Sequence, residues 1–158
     1  MHRARQLQRK SAGISVLETI FVLGVLMMLG AVLLPLLSRS YTSAQLASAE
    51  RTIADALREA RSRSRGNFQY TTHGLFVNII SAPVMLTMYQ GESYGVRSSE
   101  ADYMIPLETD AVVSLEPSIP DVHFSGSVGT TTARKIFITT GGDTHTLTLT
   151  EAGLIYEE

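Results

Sequence analysis

The chain has 158 residues, 44% of them hydrophobic and 18% charged, with a formal net charge of −2 at neutral pH. This length fits one domain of ordinary size with its own hydrophobic core. The sequence contains no cysteine, which excludes a disulfide framework, a thiolate metal site and a cysteine nucleophile.

Positive and negative charges are separated along the chain. Residues 1–13 contain four basic residues and no acid, and residues 39–65 contain six arginines against three acids. From Gly66 onward, eleven acids face three bases, so the C-terminal part is strongly acidic. A domain that binds nucleic acid usually presents a basic face. The charge distribution therefore argues against nucleic acid as a partner.

Residues 14–37 form a segment that is long and apolar enough to cross a membrane as a helix. Its 24 residues include one charge, Glu18, and as a helix they would extend ~36 Å, against ~30 Å for the hydrocarbon core of a bilayer. Basic residues precede the segment, which by the positive-inside rule keeps residues 1–13 in the cytoplasm. The run exceeds the apolar core of a cleaved secretory signal and ends without an Ala-x-Ala site. We therefore expect a single-pass signal anchor.

Two roles are open for Glu18, the one ionisable residue of this segment. In the first turn of a helix, near the lipid headgroups, an acid interacts favourably with the helix dipole. Deeper in a membrane an ionisable group is costly, and such residues are candidates for a function.

The N-terminal motif adds evidence for a functional role. A basic leader ends at Gly13, Ile14 follows, Glu18 is the fifth residue counted from Ile14, and Pro35 lies within the apolar run. This arrangement resembles the class III signal of type IV pilins and type II secretion pseudopilins. The resemblance implies that prepilin peptidase cuts between Gly13 and Ile14 and that Ile14 becomes the N-methylated first residue. It also implies that Glu18 pairs with the terminal amine of a neighbouring subunit during assembly, and that Pro35 kinks the helix.

An amphipathic continuation of the helix is predicted over residues 38–66. Apolar residues recur at spacings of three and four and form one stripe: Leu46, Ala49, Ile53, Leu57 and Ala60. Gly66 is a natural stop. The last turns carry four arginines, which complement the helix dipole: Arg58, Arg61, Arg63 and Arg65. A solvated helix end accounts for them, and so does contact with an acidic neighbour or a polyanion.

Residues 67–158 are predicted to form a β-rich extracytoplasmic globular domain. Short segments with β-branched and aromatic residues are separated by Gly, Pro, Asp and Ser: 75–80, 84–89, 111–115, 122–124, 135–140, 144–150 and 154–156. The pair Gly141-Gly142 predicts a hairpin. Residues 90–110 are expected to form a long mobile loop, and residues 126–132 a second flexible stretch. The predicted fold class is α+β, with a long helix packed on an antiparallel β-rich domain.

The second half of the chain resembles the GspH/FimT minor pilins. The similarity lies in Ala54-Asp-Ala-Leu-Arg-Glu-Ala-Arg-Ser at the end of the helix and in the closing segment Leu147-Thr-Leu-Thr-Glu-Ala-Gly-Leu-Ile-Tyr156. In some FimT members, arginines after the last glycine are linked to DNA binding. Here Gly153 is followed by Leu154, Ile155, Tyr156, Glu157 and Glu158, so that role does not carry over.

No catalytic, metal or cofactor site is predicted. The four histidines lie outside catalytic or metal-binding motifs, and those on the predicted strands have no acid pair nearby in sequence: His2, His73, His123 and His145. Several acids lack EF-hand spacing, which favours a solvated loop over a calcium site: Asp102, Glu108, Asp110, Glu116 and Asp121. Three tyrosines near residues 90–110 fit either an interaction surface or ordinary core and rim positions: Tyr89, Tyr94 and Tyr103.

These features favour a minor pseudopilin of the GspH/FimT type. Such a protein is a precursor in the bacterial inner membrane, with its N terminus in the cytoplasm and its C-terminal domain in the periplasm. Its expected partners are prepilin peptidase, an inner-membrane assembly platform, and other pilins or pseudopilins in a filament. It is a substrate of the peptidase and not an enzyme. The alternatives are a minor pilin of a type IV pilus, serving adhesion, motility or DNA uptake, and an unrelated signal-anchored binding domain or enzyme.

Overall fold

The computed structural model describes residues 15–66, 71–81, 83–107 and 110–157. Within these ranges the chain forms one α-helix, α1 (Val16–Arg65), two short 3₁₀ turns and eight strands. The chain divides into two compact units, residues 1–38 and residues 39–158. The first described residues of α1 therefore belong to the first unit, and its C-terminal half belongs to the second.

The strands form two antiparallel sheets of four strands each. Their bounds are β1 (His73–Asn78), β2 (Met85–Gln90), β3 (Tyr103–Pro106), β4 (Val112–Glu116), β5 (Asp121–Phe124), β6 (Arg134–Thr140), β7 (Asp143–Leu149) and β8 (Ile155–Glu157). The strand order is β3-β2-β1-β5 in one sheet and β4-β6-β7-β8 in the other. The predicted α+β class with an antiparallel sheet domain is thus confirmed.

The C-terminal half of α1 supplies one side of the hydrophobic core. The whole predicted apolar stripe is buried: Leu46, Ala49, Ile53, Leu57 and Ala60. Apolar side chains from both sheets join the same cluster, among them Leu75, Leu86, Phe124, Ile136 and Leu147. Burial of each large apolar side chain contributes roughly 1.5–3 kcal/mol, so the stripe fixes which face of the helix lies on the sheets. The helix ends at Arg65, directly before Gly66, as the sequence predicts.

The hairpin between β6 and β7 is confirmed. Thr140 pairs with Asp143, which leaves Gly141 and Gly142 as a two-residue turn. Their φ values are +58° and +93°, and a turn with two positive φ values matches the right-handed twist of the strands that it joins. Along β7, Leu147 and Leu149 are buried and Thr148 between them is half-buried, so one face of the strand packs on the core.

The expectation of a long mobile loop over residues 90–110 is wrong. This region contains the two 3₁₀ turns, at Tyr94–Val96 and Ser99–Ala101, and the strand β3. Strand β3 pairs with residues 85–88 of β2 at the edge of its sheet. Because an edge strand is short, tolerates proline and buries little, its sequence lacks the alternation that identifies a central strand.

Residues 126–132 contain no regular strand, but hydrogen bonds close them into a turn. The Ser125 carbonyl oxygen accepts from the Gly129 amide at 3.0 Å, and the Ser125 amide donates to the Thr130 carbonyl oxygen at 2.8 Å. The Ser127 amide also donates to the Ser64 carbonyl oxygen at 3.3 Å. The turn is thereby attached to the end of α1.

Candidate functional site

In the first unit, α1 exposes apolar side chains on every face. Its most apolar stretch of 18 residues has a mean hydropathy of 2.8, and none of that stretch is buried. Leu17 is 79% exposed and Met28 is 76% exposed. An apolar surface of this extent marks contact with lipid or with another protein. By length and composition this helix is able to cross a membrane, which fits the predicted single-pass anchor.

Glu18 lies in the first turn of α1. The helix begins at Val16, and the Leu17 amide donates to the Ser15 hydroxyl at 3.3 Å, so Ser15 caps the N terminus. Ser15 and Glu18 have the spacing of a capping box, a local signal that the sequence interpretation missed. Within the described residues Glu18 is exposed and belongs to no ion pair.

Of the other predicted N-terminal sites, Pro35 is described by the structure, whereas Gly13 and Ile14 are not. Gly13 and Ile14, the predicted cleavage and methylation positions, lie outside the described residues. Pro35 is exposed within α1, which continues through it as helix. The Pro35 carbonyl oxygen accepts a hydrogen bond from the Ser38 hydroxyl at 2.9 Å. A kink is expected at Pro35 because proline lacks the backbone N–H that would bond to the preceding turn. The kink stays a prediction.

The arginines at the C-terminal end of α1 line a cleft in the second unit. The cleft has a volume of about 620 Å³ and is lined by Arg58, Arg61, Ser62, Arg65, Gly66, Ser127, Gly153, Leu154 and Ile155. The three arginines are spaced by three and four residues and therefore share one helix face. We refer to this feature as the arginine cleft.

Two of these arginines attach the helix end to the rest of the unit. Arg58 forms ion pairs with Asp55 at 3.0 Å and with Glu157 of β8 at 2.8 Å, and its hydrogen bonds to these two acids raise the pKa of its guanidinium. Arg61 donates to the carbonyl oxygens of Gly129, at 3.3 Å, and Ala152, at 2.9 Å. The arginine cluster is thus more than a solvated helix end.

His145 has an acid partner that is far from it in the sequence. Its Nδ1 lies 2.6 Å from Oε2 of Glu50. Glu50 comes from α1 and is nearly buried, with 8% of its surface exposed, whereas His145 lies on β7. The pair links helix to sheet across 95 residues of sequence, a separation over which no local motif is visible.

His73 lies at the start of β1 and is buried. Its backbone is held by the buried Ser64, whose hydroxyl accepts from the His73 amide at 2.7 Å and donates to the His73 carbonyl oxygen at 3.1 Å. Burial lowers the pKa of the His73 imidazole, and the nearby positive charge of Arg63 lowers it further.

The depressed pKa of His73 predicts that acid destabilises the fold. An unfolded histidine has a pKa of about 6.5, so at pH values below that the unfolded state binds more protons than the folded state. The stability contribution of neutral His73 is complete above about pH 6.5 and is lost as pH falls toward the folded pKa. Thermal unfolding of the full chain in detergent micelles from about pH 7.5 to about pH 5 checks this. The His73→Gln variant should show a shallower decline, and equal slopes would contradict the assignment.

The three tyrosines singled out in the sequence have different environments. Tyr89 is fully buried in β2 and donates a hydrogen bond from its hydroxyl to Oδ1 of Asp121. Tyr94 lies with its ring stacked on Phe76, at a centroid distance of 3.7 Å. Tyr103, on the edge strand β3, is 60% exposed. Tyr89 and Tyr94 are therefore structural residues, and Tyr103 remains available on the surface.

Tyr89 and Asp121 form a hydrogen-bond pair, and its loss should lower the stability of the fold. Burial and the bond to Asp121 raise the pKa of the Tyr89 hydroxyl, so it remains protonated and donates throughout the neutral range. In the Tyr89→Phe variant the Asp121 carboxylate keeps its hydrogen bond from the Tyr94 amide, at 3.0 Å, and loses the one from the Tyr89 hydroxyl. We expect a loss of about 1–3 kcal/mol in the free energy of unfolding, measured by chemical denaturation. The exposed Tyr103→Phe variant is the control, and equal effects of both substitutions would contradict the assignment.

The described residues contain no cluster of three or more His, Cys, Asp or Glu side chains that could hold a metal ion. Two of the acids considered for calcium have partners of their own. Asp102 pairs with Arg97 at 2.8 Å, and Asp121 accepts hydrogen bonds from Tyr89 and Tyr94. Glu108, a third candidate, lies outside the described residues.

Comparison with solved structures identifies the fold. The chain is similar to the crystal structure of the type IV minor pilin FimU from Pseudomonas aeruginosa strain PAO1, with a TM-score of 0.54 and 14% sequence identity. The match covers 77% of this chain and 90% of that chain. No protein-family model matches the chain, and no curated protein sequence matches it. The protein therefore has a pilin-like fold, which confirms the predicted architecture of a long helix on an antiparallel β-rich domain.

Proposed function

We propose that this protein is a minor pseudopilin, a structural subunit of a type II secretion pseudopilus that assembles through its N-terminal helix. The observation that carries the proposal is the exposed apolar N-terminal half of α1. The second unit has a hydrophobic core of its own, so this half of the helix is left to contact lipid or other subunits. The pilin-like fold supports the same function. The protein acts as a substrate and building block, and it performs no chemistry of its own.

Processing by prepilin peptidase is the first step of the proposed function. Cleavage between Gly13 and Ile14 removes a leader with four basic residues and exposes a cationic α-amine at Ile14, which is then N-methylated. Until assembly, the apolar helix anchors the protein in the bacterial inner membrane, with the C-terminal domain in the periplasm.

Assembly follows from the amine that cleavage creates and from the carboxylate of Glu18. The amine of Ile14 and the carboxylate of Glu18 are four residues apart in sequence, on either side of the residue where α1 begins. In a filament core built of such helices both groups leave water, and an unpaired buried charge costs about 3–5 kcal/mol. Pairing of Glu18 with the amine of the neighbouring subunit removes that cost at one axial register. The assembly platform would then add subunits at that register, and a bend at Pro35 would adjust the packing of adjacent helices.

A type IV pilus is the second candidate for the assembly, because the solved structure that the chain resembles is that of a type IV minor pilin. Deletion of the gene in the host, followed by complementation, tests both. Loss of secreted proteins from the medium with intact surface pili supports the pseudopilus. Loss of pili with normal secretion supports the pilus. If the deletion changes neither secretion nor piliation, the result contradicts a role in either assembly.

A further inference from the structure

We propose that the arginine cleft is a docking site for an acidic peptide segment of a partner protein. All the residues that line it belong to the second unit, so the site does not depend on assembly through the apolar helix. It provides three guanidinium groups on one helix face, a hydroxyl from Ser62 and a short apolar wall from Leu154 and Ile155. Guanidinium groups bind carboxylates with paired, charge-assisted hydrogen bonds.

The positive charge in the cleft is only partly neutralised. Arg58 is paired with Asp55 and Glu157. Arg61 donates to two neutral carbonyl oxygens, and no described acid forms an ion pair with it. Among the described residues Arg65 is likewise in no ion pair and is exposed. The cleft therefore presents two cations that a carboxylate ligand would complement.

The surroundings favour a peptide over a nucleic acid. From Gly66 onward the chain carries eleven acids and three bases, so this part of the chain repels a long polyanion. Glu157 also lies beside Arg58 at the cleft. A short segment with two carboxylates places its charge inside the cleft and avoids that repulsion. Leu154, which is 44% exposed, offers a contact for an apolar side chain between the two acids.

Contacts within the second unit hold the loops that line the cleft. Gly153 has a φ of +72° and Gly129 also has a φ of +72°. The side chain of Arg61 holds both loops through their carbonyl oxygens, at Gly129 and Ala152. Because contacts within the chain hold these loops, docking would order few additional groups, and less conformational entropy would be lost on binding.

A titration of the full chain in non-ionic detergent micelles, followed by NMR, tests the proposal. The probe is the peptide acetyl-Glu-Leu-Glu-amide, and its control is acetyl-Gln-Leu-Gln-amide. We expect the acidic peptide to shift the amide signals of Gly153, Leu154 and Ile155 and the Nε–H signals of Arg61 and Arg65 in a saturable way. The uncharged peptide should leave these signals in place.

Matched variants locate the binding site. Arg65→Gln keeps most of the aliphatic stem and removes the charge, and we expect it to weaken binding about tenfold. Arg65→Lys should restore part of the affinity. Arg51→Gln makes the same change at an exposed position of α1 outside the cleft and should bind like the parent chain.

Other results would overturn the proposal. Equal responses to the two peptides, or no response to either, would exclude a site for acidic peptides. Equal shifts with sodium phosphate at the same concentration would indicate a general anion site. Tighter binding of a short DNA duplex through the same signals would assign the cleft to nucleic acid.

Discussion

The Glu18→Gln variant is expected to insert into the membrane and lose residues 1–13 normally, and to enter the filament at least tenfold less efficiently than the parent chain. In the variant, the terminal amine of the neighbouring subunit is buried without a carboxylate. An uncompensated buried charge costs about 3–5 kcal/mol, and about 1.4 kcal/mol already changes an equilibrium tenfold. The measurement compares the amount of each variant in sheared filaments with the amount in membranes.

Two controls separate the charge of Glu18 from its position. Glu18→Asp keeps the carboxylate and should retain part of the incorporation. Val22→Ala alters an exposed apolar residue one turn further along the same helix face and should leave incorporation nearly unchanged. Normal incorporation of Glu18→Gln would contradict the assembly role. The first-turn position beside the capping residue Ser15 would then account for this acid.

The Gly153→Ala variant is expected to lose about 3 kcal/mol of stability in the second unit. Gly153 has a φ of +72°, a conformation that costs a residue with a side chain roughly 1–2 kcal/mol. A methyl group there would overlap the Gly129 carbonyl oxygen and lie 2.7 Å from Nε of Arg61, and such overpacking costs about 1–3 kcal/mol more. At roughly 4 °C per kcal/mol, Tm should fall by about 12 °C, measured by near-UV circular dichroism.

Gly142→Ala is the matched control for this glycine. Gly142 also has a positive φ, +93°, but a methyl group there would meet nothing within 4 Å. Only the conformational cost of about 1–2 kcal/mol remains, so Tm should fall by about 4–8 °C. Equal losses for the two variants would contradict the close packing of Gly153 against Gly129 and Arg61.

Local patterns predicted most of the elements. The stripe from Leu46 to Ala60 is an i, i+3, i+4 pattern, and the helix that it implies is buried on that face and ends before Gly66. The pair Gly141-Gly142 likewise identified its hairpin. Strand β3 was missed because its identity depends on pairing with β2 at a sheet edge and not on alternation of its own residues.

Contacts between distant residues were not predictable from the sequence. Glu50 and His145 are 95 positions apart, and only the packing of α1 on β7 brings them together. The arginines of the helix end were visible as a cluster, but the cleft that they line also requires Ser127 and the turn at Gly153. By contrast, the predicted N-terminal sites rest on a local motif, and Gly13 and Ile14 lie outside the described residues. Cleavage and methylation there stay predictions.

The most direct measurement is the N-terminal mass of the protein purified from membranes, in matched cells with and without active prepilin peptidase. A chain that begins at Ile14 only when the peptidase is active, with or without an added methyl group, is the expected result. A Gly13→Val variant should keep its leader in both cells. A chain that retains Met1–Gly13 in both cells would contradict assembly as a pilin-like subunit and leave a membrane-anchored domain with another role.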